Sequence, residues 1–140
     1  MSEGDWLAQV TWSEGNIFLG SDTSGHTVVY DSAEKTQRGI SPMRALLTSL
    51  GACTGMDIVS ILGKRKQKLR SLKILVSGGR PEHGLPKPWT SIEVKYVLSG
   101  DSLEKRYVEE AIKDSTEKFC SVGATLRPTA KITYSYEIVS

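Results

Sequence analysis

Residues 41–64, SPMRALLTSLGACTGMDIVSILGK, dictate how the rest of the chain must be arranged. Ser41 is placed to cap a helix, and Pro42 sits at the first helical position, where its missing N–H costs nothing. Gly63-Lys64 reads as the C-terminal stop. A helix of this length, at ~1.5 Å per residue, is a rod of about 33 Å, close to the full width of a domain of this size. It is apolar nearly all round, through Ala45, Leu46, Leu47, Leu50, Met56, Ile58, Val59, Ile61 and Leu62. A helix with that pattern is buried on most sides. The exception is a narrow stripe: at ~100° per residue, Ser49, Cys53, Asp57 and Ser60 fall within about 80° of one another. Cys53 is thus a thiol on a polar seam of an otherwise buried helix.

Outward from this helix the chain is short strands and one more helix. Residues 5–12 alternate, with Trp6, Ala8, Val10 and Trp12 on one face, as in a strand with one buried face. Turn-forming Ser13-Glu14-Gly15-Asn16 leads to strands at 17–19 and 26–30, so the chain opens as a three-stranded meander. Residues 31–40 are polar, aperiodic and read as a loop. After the long helix, 71–77 alternates with Leu72, Ile74 and Val76 inward; 78–88 is a Gly/Pro loop; 89–98 alternates again through Ile92, Val94, Tyr96 and Leu98. Asp101 and Glu104 form a capping-box-like start to an amphipathic helix with Leu103, Tyr107, Val108, Ala111, Ile112 and Phe119 on its apolar stripe. Residues 119–126 are short and ambiguous, and 129–139 is a closing strand. The order β-β-β-α-β-β-α-β implies an α+β fold with a mostly antiparallel sheet. Six short strands cannot cover the long helix on every side. A second copy of the chain is therefore expected to complete its cover, giving a homodimer with this helix from each subunit in its core.

Composition bounds the function classes. A chain of 140 residues, 39% apolar and 24% charged, reads as a single globular domain over residues 1–140. A net charge of +2 favours no polyanionic partner. The one basic run, KRKQKLR at 64–70, has no interleaved aromatics and suits a solvated helix end, so no nucleic-acid partner is expected. The start MSEGDW is acidic and polar, unlike a signal peptide. No apolar run reaches the ~18 residues of a membrane span without interruption. Two cysteines make no disulfide framework. A cytoplasmic protein with no membrane partner is the expectation.

Cys53 has two readings. Free cysteine is among the most buried residue types and packs as a small hydrophobe; the polar seam argues instead for a working thiol. Reactivity needs the thiolate, yet Cys53 is mid-helix, beyond the reach of the N-terminal dipole, and Asp57 one turn away opposes ionisation when charged. A cation must come from elsewhere in the fold. Arg44 lies about 180° round the helix, leaving Arg38, Arg127 or the partner chain. Cys120 reads as a packing residue at a helix end, or as the second thiol of a peroxidatic and resolving pair. With two histidines, His26 and His83, no HExxH and no CxxC, no metal or cofactor is expected. No G-x-S-x-G elbow or phosphate-binding glycine motif is present.

SPMRALLTSLGACTGMDIVSIL, followed some 60 residues later by KFCSVGATLRPTAKI, resembles the OsmC/Ohr family of osmotically inducible and organic-hydroperoxide-resistance proteins, in a divergent branch. The likeness covers almost the whole chain. It implies an intertwined homodimer of α+β subunits, with the cysteine helix central. It further implies reduction of organic or hydrogen peroxides by a reactive cysteine, matched by Cys53. A resolving cysteine, matched by Cys120, would form the disulfide that a thiol reductant reopens. Two positions depart from the hydroperoxide reductases: Met43 stands where they carry a glutamate, and the arginine that holds their thiolate has only an inexact counterpart in Arg38. The alternative is a non-catalytic ligand-binding or structural stress protein on the same dimeric scaffold.

Overall fold

The computed structural model describes residues 6–140, which fall into two compact units meeting in sequence at Leu46/Leu47. In the first, β1 (Ala8–Glu14), β2 (Ile17–Asp22) and β3 (Thr27–Tyr30) form the expected antiparallel meander in the order β1-β2-β3. Gly15 and Gly25, at φ +54° and +85°, make its two turns in the left-handed region that glycine enters without strain. Residue 5 of the expected first strand lies outside the described residues. The expected buried face is absent within this unit: Val10 and Trp12 are 63% and 64% exposed. The loop after β3 is ordered by Asp31, whose carboxylate accepts the backbone N–H groups of Ala33 and Arg38, each at 2.9 Å. These bonds, Arg38's foremost, hold its carboxyl below the usual range.

α1 (Pro42–Lys64) starts where its cap chemistry placed it. Ser41 Oγ accepts the Arg44 N–H at 3.3 Å. At the other end Lys66 N–H donates to the Gly63 carbonyl and Gln67 N–H to that of Leu62, the paired bonds of a Schellman stop. The left-handed residue there is Lys66 (φ +57°), not the glycine expected to end the helix.

In the second unit, β4 (Lys68–Gly79), β5 (Ser91–Asp101) and β6 (Lys131–Ile138) form one sheet in that order. β4 and β5 are antiparallel, while β6 runs parallel to β5. The pairings of the named strands are thus mostly antiparallel, as expected, with the closing strand the exception. The chain leaves the end of β5 and returns through α2 (Lys105–Asp114), a π-helical turn (Ser115–Phe119) and α3 (Ser121–Leu126), a crossover that parallel neighbours require. The π turn and α3 occupy the stretch whose sequence was ambiguous. The capping-box expectation is also corrected. Asp101 ends β5, and Glu104 is the N-cap without a side-chain bond. Gln67 Oε1 takes over by accepting the Glu104 N–H at 2.8 Å.

The core of this unit joins Leu47, Leu50, Ile58 and Leu62 of α1 to Ile92, Val94, Tyr96 and Leu98 of β5 and to Val108 and Ala111 of α2. Gly51 and Gly55 let α1 approach β4 closely; a Cβ on Gly55 would lie 2.8 Å from Ile74 Cδ1. α1 is long and apolar enough for a membrane span by composition, but its packed face makes it a core helix. On its opposite face Leu46, Met56 and Val59 are exposed.

Candidate functional site

The two cysteines, 67 residues apart, meet: Cys53, half-buried on α1, and Cys120, buried, have thiols within hydrogen-bonding reach of each other, both free. Local structure sets Cys120 in place. Its N–H donates to the Ser115 carbonyl at 2.8 Å, closing the wider π turn. It then leaves the helical path (φ −72°, ψ 98°) and caps α3, its Sγ accepting the Gly123 N–H at 3.3 Å. A Cβ on Gly123 would stand 3.4 Å from that sulfur and 3.6 Å from Leu50 Cδ1, so glycine keeps the passage between α1 and α3 narrow.

Beside the thiols lies a line of hydroxyls. Ser115 Oγ donates to Asp57 Oδ2 at 2.9 Å, Thr54 Oγ1 is 2.7 Å from Ser115 Oγ, and Tyr96 OH is 2.7 Å from Thr54 Oγ1. Thr54, Tyr96 and Ser115 are fully buried. Tyr96 stacks on Tyr134 with ring centroids 6.4 Å apart. Burial pushes the Tyr96 phenol up to about 12, against the opposing bond to Thr54. The Cys120 thiol is pushed up as well, first by burial, then by Cys53 and the charge of Asp57; the Gly123 N–H works the other way. Burial raises Tyr134 while the charge of Arg127 lowers it.

Of the polar seam read from sequence, Cys53 and Asp57 belong to this cluster, whereas Ser49 and Ser60 are exposed. Sequence reasoning missed Thr54, Ser115 and Tyr96. Their signal is a lone polar group on an apolar face: Thr54 between Leu50 and Ile58 at four-residue steps, Ser115 beyond Val108 and Ala111. Arg38 belongs to the first unit, where its guanidinium lies 3.4 Å from Glu14 and both side chains are mostly exposed. Arg127 donates to the Thr116 carbonyl and reaches Tyr134 electrostatically. Among the described residues no group of three or more His, Cys, Asp or Glu is arranged to hold a metal ion.

Residues 34–135 match the family model described as OsmC-like protein. The chain belongs to the OsmC/Ohr family. Protein YhfA of Escherichia coli K12 is 35% identical over 133 residues, covering 95% of this chain and 98% of that protein, and such relatives fit a divergent branch of the OsmC family. The OsmC-like protein of Mycoplasma pneumoniae shares the fold, with a TM-score of 0.84 at 17% identity over 99% of this chain and 100% of that one. The organic hydroperoxide resistance protein OhrB of Bacillus subtilis shares it at 0.64 and 16% identity, over 94% and 98% of the two chains. The α+β class expected from the sequence is that of the OsmC fold.

Proposed function

We propose that this OsmC-family protein is a cysteine-dependent peroxidase for organic or hydrogen peroxides, working as a cytoplasmic homodimer with a thiol reductant. Family membership supports a peroxide-resistance or stress protein. The observation that carries the finer reading is the meeting of Cys53 and Cys120. Cys53 is the more accessible thiol and takes the peroxidatic role: its thiolate attacks the distal peroxide oxygen, the O–O bond breaks, and the leaving alkoxide takes a proton to become the alcohol. Cys53 is left as a sulfenic acid. Cys120 condenses with it to a disulfide, releasing water, and two equivalents of a thiol restore both cysteines. Arg38 is the first candidate for the cation that favours the thiolate, and Arg127 the second.

The test is consumption of cumene hydroperoxide with dithiothreitol as reductant. Wild type should consume it, Cys53→Ser should not, and Cys120→Ser should trap the sulfenic acid on Cys53. Wild-type Cys53 that stays reduced after one equivalent of hydroperoxide overturns the proposal. The second reading, a ligand-binding or structural stress protein, has its own support: Met43 stands at the family glutamate position and Arg38 is paired to Glu14. It predicts alkylation of Cys53 at neutral pH no faster than that of a free thiol.

A further inference from the structure

The scheme above leaves one set of buried groups unused, and their hydrogen bonds have a fixed direction. An ionised carboxylate only accepts, so Ser115 donates to Asp57. The single Ser115 proton is committed there, so Thr54 must donate to Ser115. The Thr54 proton is committed in turn, so Tyr96 must donate to Thr54. Three buried hydroxyls thus point their protons toward one carboxylate, with Ser115 bonded to its Oδ2. Asp57 stands one turn from Cys53 on α1, where side chains four apart are neighbours, and its charge bears on the Cys120 thiol.

We propose that Asp57, held by the Tyr96–Thr54–Ser115 chain, is the proton carrier that closes the Cys53–Cys120 disulfide. This rests on the pairing of the two thiols in the function proposed above. Cys120 is buried, with the Cys53 thiol within hydrogen-bonding reach and the charge of Asp57 bearing on it, so it enters the step as a neutral thiol and needs a base. Its S–H proton passes to the Asp57 carboxylate as its sulfur attacks the sulfur of the Cys53 sulfenic acid. The S–O bond breaks, and the leaving hydroxide takes the proton from Asp57 to become water. Cys120 sulfur is oxidised, Cys53 sulfur is reduced by the same electron pair, and Asp57 ends ionised as it began. The groups on its side are Cys53 from α1, Ser115 from the π turn and Cys120 at the start of α3, with Tyr96 of β5 at the far end of the hydroxyl chain. Tyr134 of β6 lies within electrostatic reach of Cys120 and of Arg127.

Asp57→Asn keeps an acceptor for Ser115 but takes no proton near neutrality. Reduced wild type and variant are mixed with one equivalent of cumene hydroperoxide, quenched with dimedone over time and weighed by intact mass. Sulfenic acid should form on Cys53 no more slowly in the variant. Disulfide closure at pH 7 should be slower by about a hundredfold, the scale of a lost general base. The gap should narrow as pH rises and Cys120 ionises unaided. A parallel arm loads Cys53 with oxidised glutathione and follows glutathione release as Cys120 attacks, which needs no peroxide chemistry. Ser115→Ala, which frees the carboxylate from its anchor, should give a smaller lag with the same narrowing. Closure at the wild-type rate in the glutathione arm, or a lag equal at every pH, overturns the proposal. A wild type that forms no sulfenic acid yet shows the Asp57→Asn lag with glutathione overturns the peroxidase reading alone.

Discussion

Thr54 shows how much one buried hydroxyl can carry. It is the middle member of a line in which every other group depends on a neighbour, between Tyr96 OH and Ser115 Oγ at 2.7 Å each. Thr54→Val preserves shape but strands a buried donor on Tyr96 and leaves Ser115 without the bond it accepts. Leaving such groups unsatisfied costs about 1–3 kcal/mol, which should appear as a lowered urea midpoint at fixed protein concentration. Tyr96→Phe removes only the outermost donor, and a loss of about 1 kcal/mol or less is expected. Cys120 adds a pH dependence of known sign. Its proton is held more tightly in the folded protein than in the unfolded one, with burial the first cause. Its contribution is therefore fully present below the unfolded cysteine value of about 8.5 and is lost as pH rises through the folded value. Unfolding by urea under reducing conditions should show stability falling above that pH, and Cys120→Ala should flatten the fall. The tyrosines, also raised, enter only above pH ~10. The cysteine helix and its polar seam were legible in the sequence because helical periodicity places Cys53 and Asp57 on one side. Their partners were not, because Ser115 and Cys120 reach them only through the π turn and the crossover.

Elements whose signals are local came out as read. The N-terminus of α1 rests on Ser41 and Pro42, adjacent residues with opposite and compatible roles, and the meander rests on alternation and two turn glycines. Elements whose placement is decided by distant pairing did not. Nothing within residues 129–139 tells a parallel neighbour from an antiparallel one; the direction follows from the helical return between β5 and β6. The start of α2 was misread for the same reason, since its capping group is Gln67, far away in sequence. The end of α1 offers a clean test. Lys66 holds a left-handed conformation at an exposed site, which costs an L-residue roughly 1–2 kcal/mol relative to a right-handed one. Lys66→Gly should relieve most of that, offset in part by glycine's greater freedom when unfolded. A net gain of about 0.5–1 kcal/mol and a higher urea midpoint are expected. The reverse lesson applies at Gly55. A Leu there would overlap Ile74 on β4, and overpacking of this kind costs about 1–3 kcal/mol, whereas Gly51→Ala, with 3.4 Å to its nearest neighbour, should fold as well as wild type.

At the scale of the whole molecule, the unsatisfied surfaces argue for a second copy of the chain. α1 buries Leu47, Leu50, Ile58 and Leu62 against its own sheet and leaves Leu46, Met56 and Val59 open, Met56 at 72% exposure. Met56 and Val59 are three residues apart and Leu46 lies ten before Met56, so they share one side of the helix. The meander, taken by itself, shows Val10, Trp12, Phe18, Leu19, Val28 and Val29 to solvent. A monomer seldom leaves apolar faces of this kind open to water. Self-association of the α1 face covers it at no cost in buried charge, since the polar residues among them, Ser49 and Ser60, are uncharged. The protein should therefore be a dimer by light scattering at every concentration at which it stays folded. Its thermal midpoint should rise with protein concentration, as mass action requires when folding and assembly are coupled. Met56→Glu with Val59→Glu would force two carboxylates from each copy into the contact. The expected outcome is loss of the dimer together with a marked fall in the thermal midpoint. A compact wild-type monomer at micromolar concentration, with a midpoint independent of concentration, would remove the dimer and with it the expectation that a partner subunit completes the site.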